Sequence, residues 1–392
     1  MRLTLRGARL VDAAGDRPGA DLVIEGGQIH AVGHPRGAPG QVVEAADAIV
    51  TPGFIDVHTH GGGGYNLHTA DAAEILAYAR WAPETGTTAF LIAVVGVPGA
   101  LPEAQLRAAV DALQARQVGA EPLGIHLEGP YISAERRGAH ASSWLRAPER
   151  AETERLLHLA AGHLRLVTLA PELPGSAEMI PQLVDAGVTV SIGHTDATYE
   201  QAQQAIRLGA THATHCFNAM RPLRHREPGP LGAIVEAPQV RGELIADGVH
   251  VHPAAVRVLL RALGAERTII VTDAQAAAGA PDATFEFAGQ PAQVVGGAVR
   301  LADGTIAGSV LTMDQALRNV LQLGGISLAE AVGMLSLNPA RAVGVAERKG
   351  RLRAGYDADL LIFDEALTLQ ATLCRGALAY ATDAWRERLR SE

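Results

Sequence analysis

Lysine is almost missing from this chain. Lysine and arginine together number 33 among 392 residues, and Lys349 is the only lysine. Chemistry that needs a lysine in its site must use that residue or fail. Cysteine is nearly as scarce. Cys216 and Cys374 cannot build a disulfide framework, and two thiols suit a reducing cytosol, so a cytoplasmic location is expected. Long apolar runs are absent. The most apolar stretch, TTAFLIAVVGV from Thr87 to Val97, stops well short of the roughly 20 residues that a spanning helix needs. The opening stretch, MRLTLRGARLVDAAGD, has no apolar signal-like core and already alternates like a strand, so no signal peptide is expected. Positive charge is not in excess either. A net charge of −9 argues against nucleic acid or an anionic membrane as partner.

What is present is a large apolar fraction, 48%, enough for a sizeable core. The length suits one large domain with a smaller one. Both ends read as β: LTLRGARLVDA, DLVIEGGQIHAVG and QVVEAADAIVTPG at the start, GRLRAGYDADLLIFD and TLCRGALAYA near the end, are short alternating runs broken by glycine and aspartate. The middle alternates between strand-like and helix-like stretches. Strand-like runs occur at GFIDVHTH, TTAFLIAV, PLGIHLEG, LRLVTLAPE, VTVSIGHT, THATHCFN, RGELIADGVH and RTIIVTDA, most of them separated by Ala/Leu-rich helical segments. Eight such units predict an α/β fold, a (β/α)8 TIM barrel over residues 51–345, with a small β-sandwich domain formed by both chain termini, 1–50 and 346–392. A doubly wound sheet is the competing architecture.

The chemistry collects where these strands end. His58 and His60 close the first, Glu128 the third, His194 the fifth, His215 the sixth and Asp273 the eighth. Active sites of barrels lie at the C-terminal ends of the strands, so five strands aim imidazoles or carboxylates at one mouth. Nitrogen and oxygen donors of this kind suit zinc, and also iron or manganese. A single histidine at a strand end is more commonly solvated or capped; the joint pattern is harder to explain that way. His126 shares strand parity with Glu128 and competes as a ligand one layer deeper. His212, three residues before His215, points to the other face of a straight strand. His30, His34, His68, His158, His163 and His225 fall in loops, helices or the β-rich ends. The run Gly61–Gly64 is a weak phosphate-loop signal; its plainer reading is a tight turn giving access to the site.

The chain resembles the amidohydrolase superfamily in its His-x-His after the first strand, its single histidines after the fifth and sixth, and its aspartate after the eighth. More narrowly, PGFIDVHTHG, HLEGPYIS, GAH, SIGHTDA, THCFNAM, REPG, ADGVH, VTDA and IAGS resemble the N-acetylglucosamine-6-phosphate deacetylase family, in the same order to about Arg375. Many superfamily members bridge two metals with a carbamylated lysine. Lys349 lies too far downstream to do so, and Glu128 stands where the narrower pattern has its glutamate.

The resemblance implies one or two divalent metal ions, zinc first. Glu128, His194 and His215 would hold the principal one, and His58 and His60, with Glu128 as a bridge, a second. It implies substrate contacts at Ala139, His140, Asn218, Ala219, Arg226, Asp247, Gly248, Val249, His250, Ile306, Ala307 and Gly308. It also implies a homodimer in which Arg226 and His250 lie near the neighbouring subunit's sugar phosphate. The expected reaction is hydrolysis of an acetamide. Metal lowers the pKa of water from about 15.7 to about 7. Asp273 would take the water's proton and pass it to the departing amine. His140 would donate to the carbonyl oxygen as charge develops, a role worth about 2.7–4 kcal/mol in measured cases. The planar fork of Arg226 suits phosphate, although on its own it reads as a surface ion pair with Glu227. Two other readings compete: another metal-dependent amidase on the same barrel, including one for N-acetylgalactosamine 6-phosphate, and a non-catalytic metal-binding protein. The lysine that many such amidases use is missing, and Asp273 beside an open ligand position favours catalysis.

Overall fold

The computed structural model describes residues 2–33, 40–280, 285–287 and 290–390. His34 lies outside the described residues. Eight parallel strands form one sheet in sequential order: Phe54–Asp56, Thr87–Val95, Glu121–Glu128, Leu164–Leu169, Thr189–Ile192, His212–Ala213, Arg241–Ile245 and Thr268–Val271. Every sequence-predicted barrel strand is found. The second is buried at all nine positions, as expected of a parallel strand covered on both faces. Helices cover the outside, and their ends follow local chemistry. The helix Tyr199–Arg207 starts at a capping box in which Thr198 and Gln201 satisfy each other's backbone donors.

The sheet becomes a barrel at its rim. Beyond the strands, the Asp273 amide donates to the His58 carbonyl at 2.8 Å, and the His60 amide to the Ala274 carbonyl at 2.8 Å. Farther out, the amides of Gly63 and Gly64 donate to the carbonyls of Ala278 and Ala276. These bonds stitch the segment after the first strand to the segment after the eighth. Close packing here accounts for three of the four glycines. A Cβ at Gly62 or Gly63 would lie 2.4 Å from the Trp81 ring, and one at Gly61, where φ is +153°, would lie 2.1 Å from the Tyr65 carbonyl oxygen. Glycine there permits close packing. With the amides of Gly63 and Gly64 committed to carbonyls, the phosphate-loop reading falls away.

The terminal strands build a separate eight-stranded sheet. Arg2–Asp12 lies between Gly15–Glu25 on one side and Ile49–Pro52 on the other, and Leu360–Phe363 pairs with Ile49–Pro52. This sheet has its own core, with Leu5, Leu10, Leu22, Leu360 and Ile362 fully buried. Lys349 is buried at its junction with the barrel, against Asp359, Glu121 (2.8 Å) and Asp357 (3.0 Å).

One element was not anticipated. Between the eighth barrel strand and the helix Met313–Gly324, a four-stranded antiparallel sheet runs through Phe285–Phe287, Gln290–Val295, Ala298–Leu301 and Ile306–Ser309. Its buried face packs Val299 and Ala307 with Ala139, Val95 and Ala277 above the barrel mouth. The glycine pair Gly296–Gly297 between two apolar runs was the available hairpin signal.

Candidate metal centre and active site

All six strand-end residues meet. His58, His60 and Asp273 form one potential ligand group, and Glu128, His194 and His215 form another; within each group the donor atoms lie within 4.8 Å of one another. Glu128 sits between the groups. Its Oε1 is 3.1 Å from His194 Nε2 and 3.3 Å from the Nε2 atoms of both His215 and His58, and its Oε2 is 3.2 Å from His60 Nε2. Asp273 Oδ1 is 3.2 Å from His60 Nε2. His194, His215 and Asp273 all adopt positive φ, +48°, +25° and +48°. Few non-glycine residues take that conformation, and it concentrates at functional sites. Here it turns each side chain off the end of its strand into the mouth.

The hydrogen bonds around the imidazoles fix which nitrogen carries the proton. His194 Nδ1 lies 3.0 Å from the Arg136 carbonyl oxygen. A carbonyl only accepts, so Nδ1–H donates and Nε2 presents a lone pair. That lone pair faces the Glu128 carboxylate and, at 3.0 Å, His215 Nε2. His58 Nδ1 donates in the same way to Glu243 Oε2 at 2.9 Å, which leaves Nε2 toward Glu128. Lone pairs converging on a carboxylate require a cation, and an imidazole oriented through its other nitrogen is the usual arrangement of a metal ligand. The donor set therefore fits a divalent metal.

The electrostatics agree. Without a metal, protons take the cation's place: burial pushes the Glu128 carboxyl up, but the charge of a protonated His58 and N–H bonds from His140, His194 and His215 more than offset it, so Glu128 stays well below the ordinary range. Burial likewise raises Asp273, and His58 and His60 hold it down to about 2. His60, opposed by burial but faced by Asp273 and Glu128, is raised to about 9 without metal. His140 is lowered, mainly by burial; its neutral ring, with Nε2 3.5 Å from Glu128 Oε2, keeps an N–H for donation.

A cavity of about 160 Å³ opens over this cluster. Of the predicted substrate contacts, Ala139, His140, Asn218, Ala219, His250, Ile306, Ala307 and Gly308 line it. Asp247, Gly248 and Val249 do not. Asp247 instead shapes the loop: Oδ1 accepts from the Val249 and His250 amides, and Oδ2 takes the His250 Nδ1 proton at 2.6 Å. Arg226 is exposed and outside the cavity lining. The expected ion pair with Glu227 belongs to Arg224 instead, at 3.7 Å.

Two histidine expectations change. His126 does face the barrel interior, but its Nε2 bonds Thr168 Oγ1 at 2.8 Å and it joins neither ligand group; burial pushes its pKa down to about 3. His212 does not point to the outer face. Its Nε2 reaches Glu243 Oε1 at 2.9 Å inside the barrel. The strand ends at Ala213, and the turn at His215 breaks the alternation that a straight strand would impose. His68, set aside from the sequence, is half-buried close to the site, where its Nδ1 accepts from the Val95 amide at 3.3 Å.

Two residues escaped the sequence reading. Glu243, fully buried, accepts from His58 Nδ1, His212 Nε2 and the His215 amide. Its only signal was a charged residue inside an apolar strand. Gln275 lines the cavity two residues beyond Asp273, and no motif marked it.

Comparison with known proteins agrees with this geometry. A model of the amidohydrolase family matches residues 49–384. The chain is 35% identical over 386 residues to the N-acetylglucosamine-6-phosphate deacetylase of Lysinibacillus sphaericus, spanning 98% of this chain and 99% of that protein. It is 38% identical over 380 residues to the N-acetylgalactosamine-6-phosphate deacetylase of Escherichia coli O157:H7, spanning 97% and 100%. The crystal structure of N-acetylglucosamine-6-phosphate deacetylase from Pasteurella multocida superposes with a TM-score of 0.92 at 32% identity, covering 97% of this chain and all of that one. The chain belongs to the amidohydrolase family.

Proposed function

We propose that this protein hydrolyses the acetamide of N-acetyl-D-glucosamine 6-phosphate, giving D-glucosamine 6-phosphate and acetate. The observation that carries the reading is Glu128, held between two groups of metal-competent side chains with Asp273 beside it, in a chain whose full-length relatives are named sugar-phosphate deacetylases.

Glu128, His194 and His215 would hold the principal ion, zinc in preference to iron or manganese, and His58 and His60, beside Asp273, a second. Such an ion would supply Lewis acidity for activating water at neutral pH and polarising the acetyl carbonyl. Asp273, ionised at neutral pH, accepts the proton of the attacking water and delivers it to the amine nitrogen, which cannot leave as an anion. His140 donates its N–H to the carbonyl oxygen as negative charge builds. Ala139, Asn218, Ala219, Ile306, Ala307 and Gly308 border the sugar. Arg226 and His250 take the phosphate, and the exposed position of Arg226 outside its own cavity supports a homodimer in which it serves the neighbouring subunit. The loop Asp247–Val249 acts by holding His250. The same reading divides the chain into a catalytic barrel, 51–345, and a small β-domain from 1–50 and 346–392, supported by a second core confined to the terminal segments. It places the protein in the cytoplasm. Among the described residues, no helix is long and apolar enough to cross a membrane.

The test is acetate release from N-acetylglucosamine 6-phosphate, its galacto epimer and unphosphorylated N-acetylglucosamine, with elemental analysis of the purified protein. Faster turnover of the gluco phosphate supports the proposal. Preference for the galacto epimer moves the assignment to the activity named for the Escherichia coli relative. No release from either phosphate refutes both.

A further inference from the structure

We infer that Gln275 is a substrate-binding residue that holds a sugar hydroxyl next to the reacting acetamide. The inference rests on the deacetylase reading above. Gln275 is 3% exposed and lines the cavity. Its side-chain Nε2 is fully buried and has no hydrogen-bond partner among the described residues. A buried amide donor left unpaired costs more than a typical hydrogen bond gains, and such groups ordinarily find a partner. Nε2 has no accessible surface of its own, so the amide must turn about its last bond to take a partner, and the cavity that Gln275 lines is where one can come from.

The backbone holds this side chain in place. The Gln275 amide donates to the Ser309 carbonyl at 3.0 Å, its carbonyl accepts from the Ala278 amide at 2.9 Å, and the Ser309 amide donates to the Asp273 carbonyl at 2.8 Å. Gln275 is thus clamped between the segment after the eighth barrel strand and the sheet above the mouth. Gly308 packs directly against it. At φ +95°, a Cβ at Gly308 would lie 2.8 Å from Gln275 Nε2 and 2.8 Å from the Asp273 carbonyl oxygen. The absence of a side chain there lets the strand close over the amide without displacing it.

The chemistry of the ligand narrows the partner. The acetamide carbonyl goes to the metal centre and His140, and the phosphate to cationic groups. The groups left over are hydroxyls, which both donate and accept and so match an amide. Gln275 is two residues from Asp273, a separation of no more than about 7 Å along the chain. That places it beside the amide end of the sugar, against a hydroxyl on a carbon flanking the one that bears the acetamide. The backbone bonds that clamp Gln275 do not involve its side chain, so a substitution there leaves the clamp intact.

The test compares wild type with Gln275→Leu, and with Gln275→Met should leucine aggregate, on N-acetylglucosamine 6-phosphate and on its 3-deoxy and 1-deoxy analogues. Wild type is expected to lose about tenfold in kcat/KM on one of the two analogues. The variant is expected to lose about as much on the parent sugar, mostly through KM, with unchanged metal content, and to discriminate against that analogue less than twofold. Losses that multiply in the variant, a parent kcat/KM within twofold of wild type, or wild type indifferent to both deoxy analogues would each overturn the inference while leaving the deacetylase reading intact. No acetate from the parent sugar with wild type would overturn that reading and this inference with it.

Discussion

Replacing Glu243 by glutamine changes one atom and tests how the metal centre is built. The carboxylate accepts three hydrogen bonds: from His58 Nδ1 at 2.9 Å, from His212 Nε2 at 2.9 Å, and from the His215 amide at 3.1 Å. An amide has a single acceptor oxygen, so its NH₂ must face at least one of these donors. A buried donor without a partner costs about 1–3 kcal/mol. Losing an outer partner of a metal-bound histidine costs about 10–100-fold in affinity, or about 1.4–2.7 kcal/mol. His58 Nδ1 and the His215 amide share Oε2, so the glutamine oxygen can keep both with its NH₂ toward His212, where the first cost falls. The second falls on His58, which loses the carboxylate that strengthens Nε2 as a metal ligand. Glu243→Gln should therefore weaken binding at His58, His60 and Asp273 by about 10–100-fold. The group Glu128, His194 and His215, touched only through a backbone amide, should weaken much less. Zinc titration of chelator-stripped protein against a chromophoric competitor resolves the two steps. Both steps within twofold of wild type, or the larger loss at the Glu128 group, would refute this role for Glu243.

Asp273→Asn should keep the ion at Glu128, His194 and His215 and lower kcat by about 10²–10⁴-fold; near-native turnover would remove the proton shuttle. Arg226→Ala should raise KM for the phosphorylated sugar and leave unphosphorylated N-acetylglucosamine unchanged, and equal losses on both would end its phosphate role. Lys349→Met leaves Glu121, Asp357 and Asp359 around a missing ammonium, and should cost about 3–5 kcal/mol, read as a fall of several degrees in Tm; an unchanged Tm would show that Arg348 and Arg375 neutralise the cluster without it. Acid should act on the same junction. Burial raises Glu121, but Arg348 and Lys349 hold it down to about 2 against an ordinary 4.5. A carboxyl depressed in the folded state stabilises fully above its ordinary value and stops doing so as pH falls through the lower one. Wild type should therefore lose up to about 3 kcal/mol between pH 4.5 and 2, and Glu121→Gln should flatten that part of the curve in chemical denaturation.

Much of the site was legible because barrel geometry converts sequence position into place. A residue closing a strand-like run stands at the mouth, so His58, His60, Glu128, His194, His215 and Asp273 could be read off without coordinates. What stayed hidden depends on departures from that regularity. His212 was assigned to the wrong face because the sixth strand lasts only two residues before the backbone turns. Glu243 looked like any charge in a strand, since its function lies in bonds to residues 185 and 31 positions away. Gln275 needed the sheet above the mouth before its burial meant anything. The four glycines read correctly as a tight turn, but the need for Gly62 and Gly63 stayed hidden because the Trp81 ring that crowds them belongs to a later helix.

The seam between the ends of the barrel carries a consequence for how the protein comes into being. Glu128, His194 and His215 are all in hand once the chain has reached its sixth strand. His58 and His60 meet Asp273 only when the ring shuts, across more than two hundred residues of intervening chain. A chain ending near position 240 thus carries every member of one candidate ligand group and lacks Asp273 and the Glu243 that orients His58, so assembly of the second group reports completion of the barrel itself.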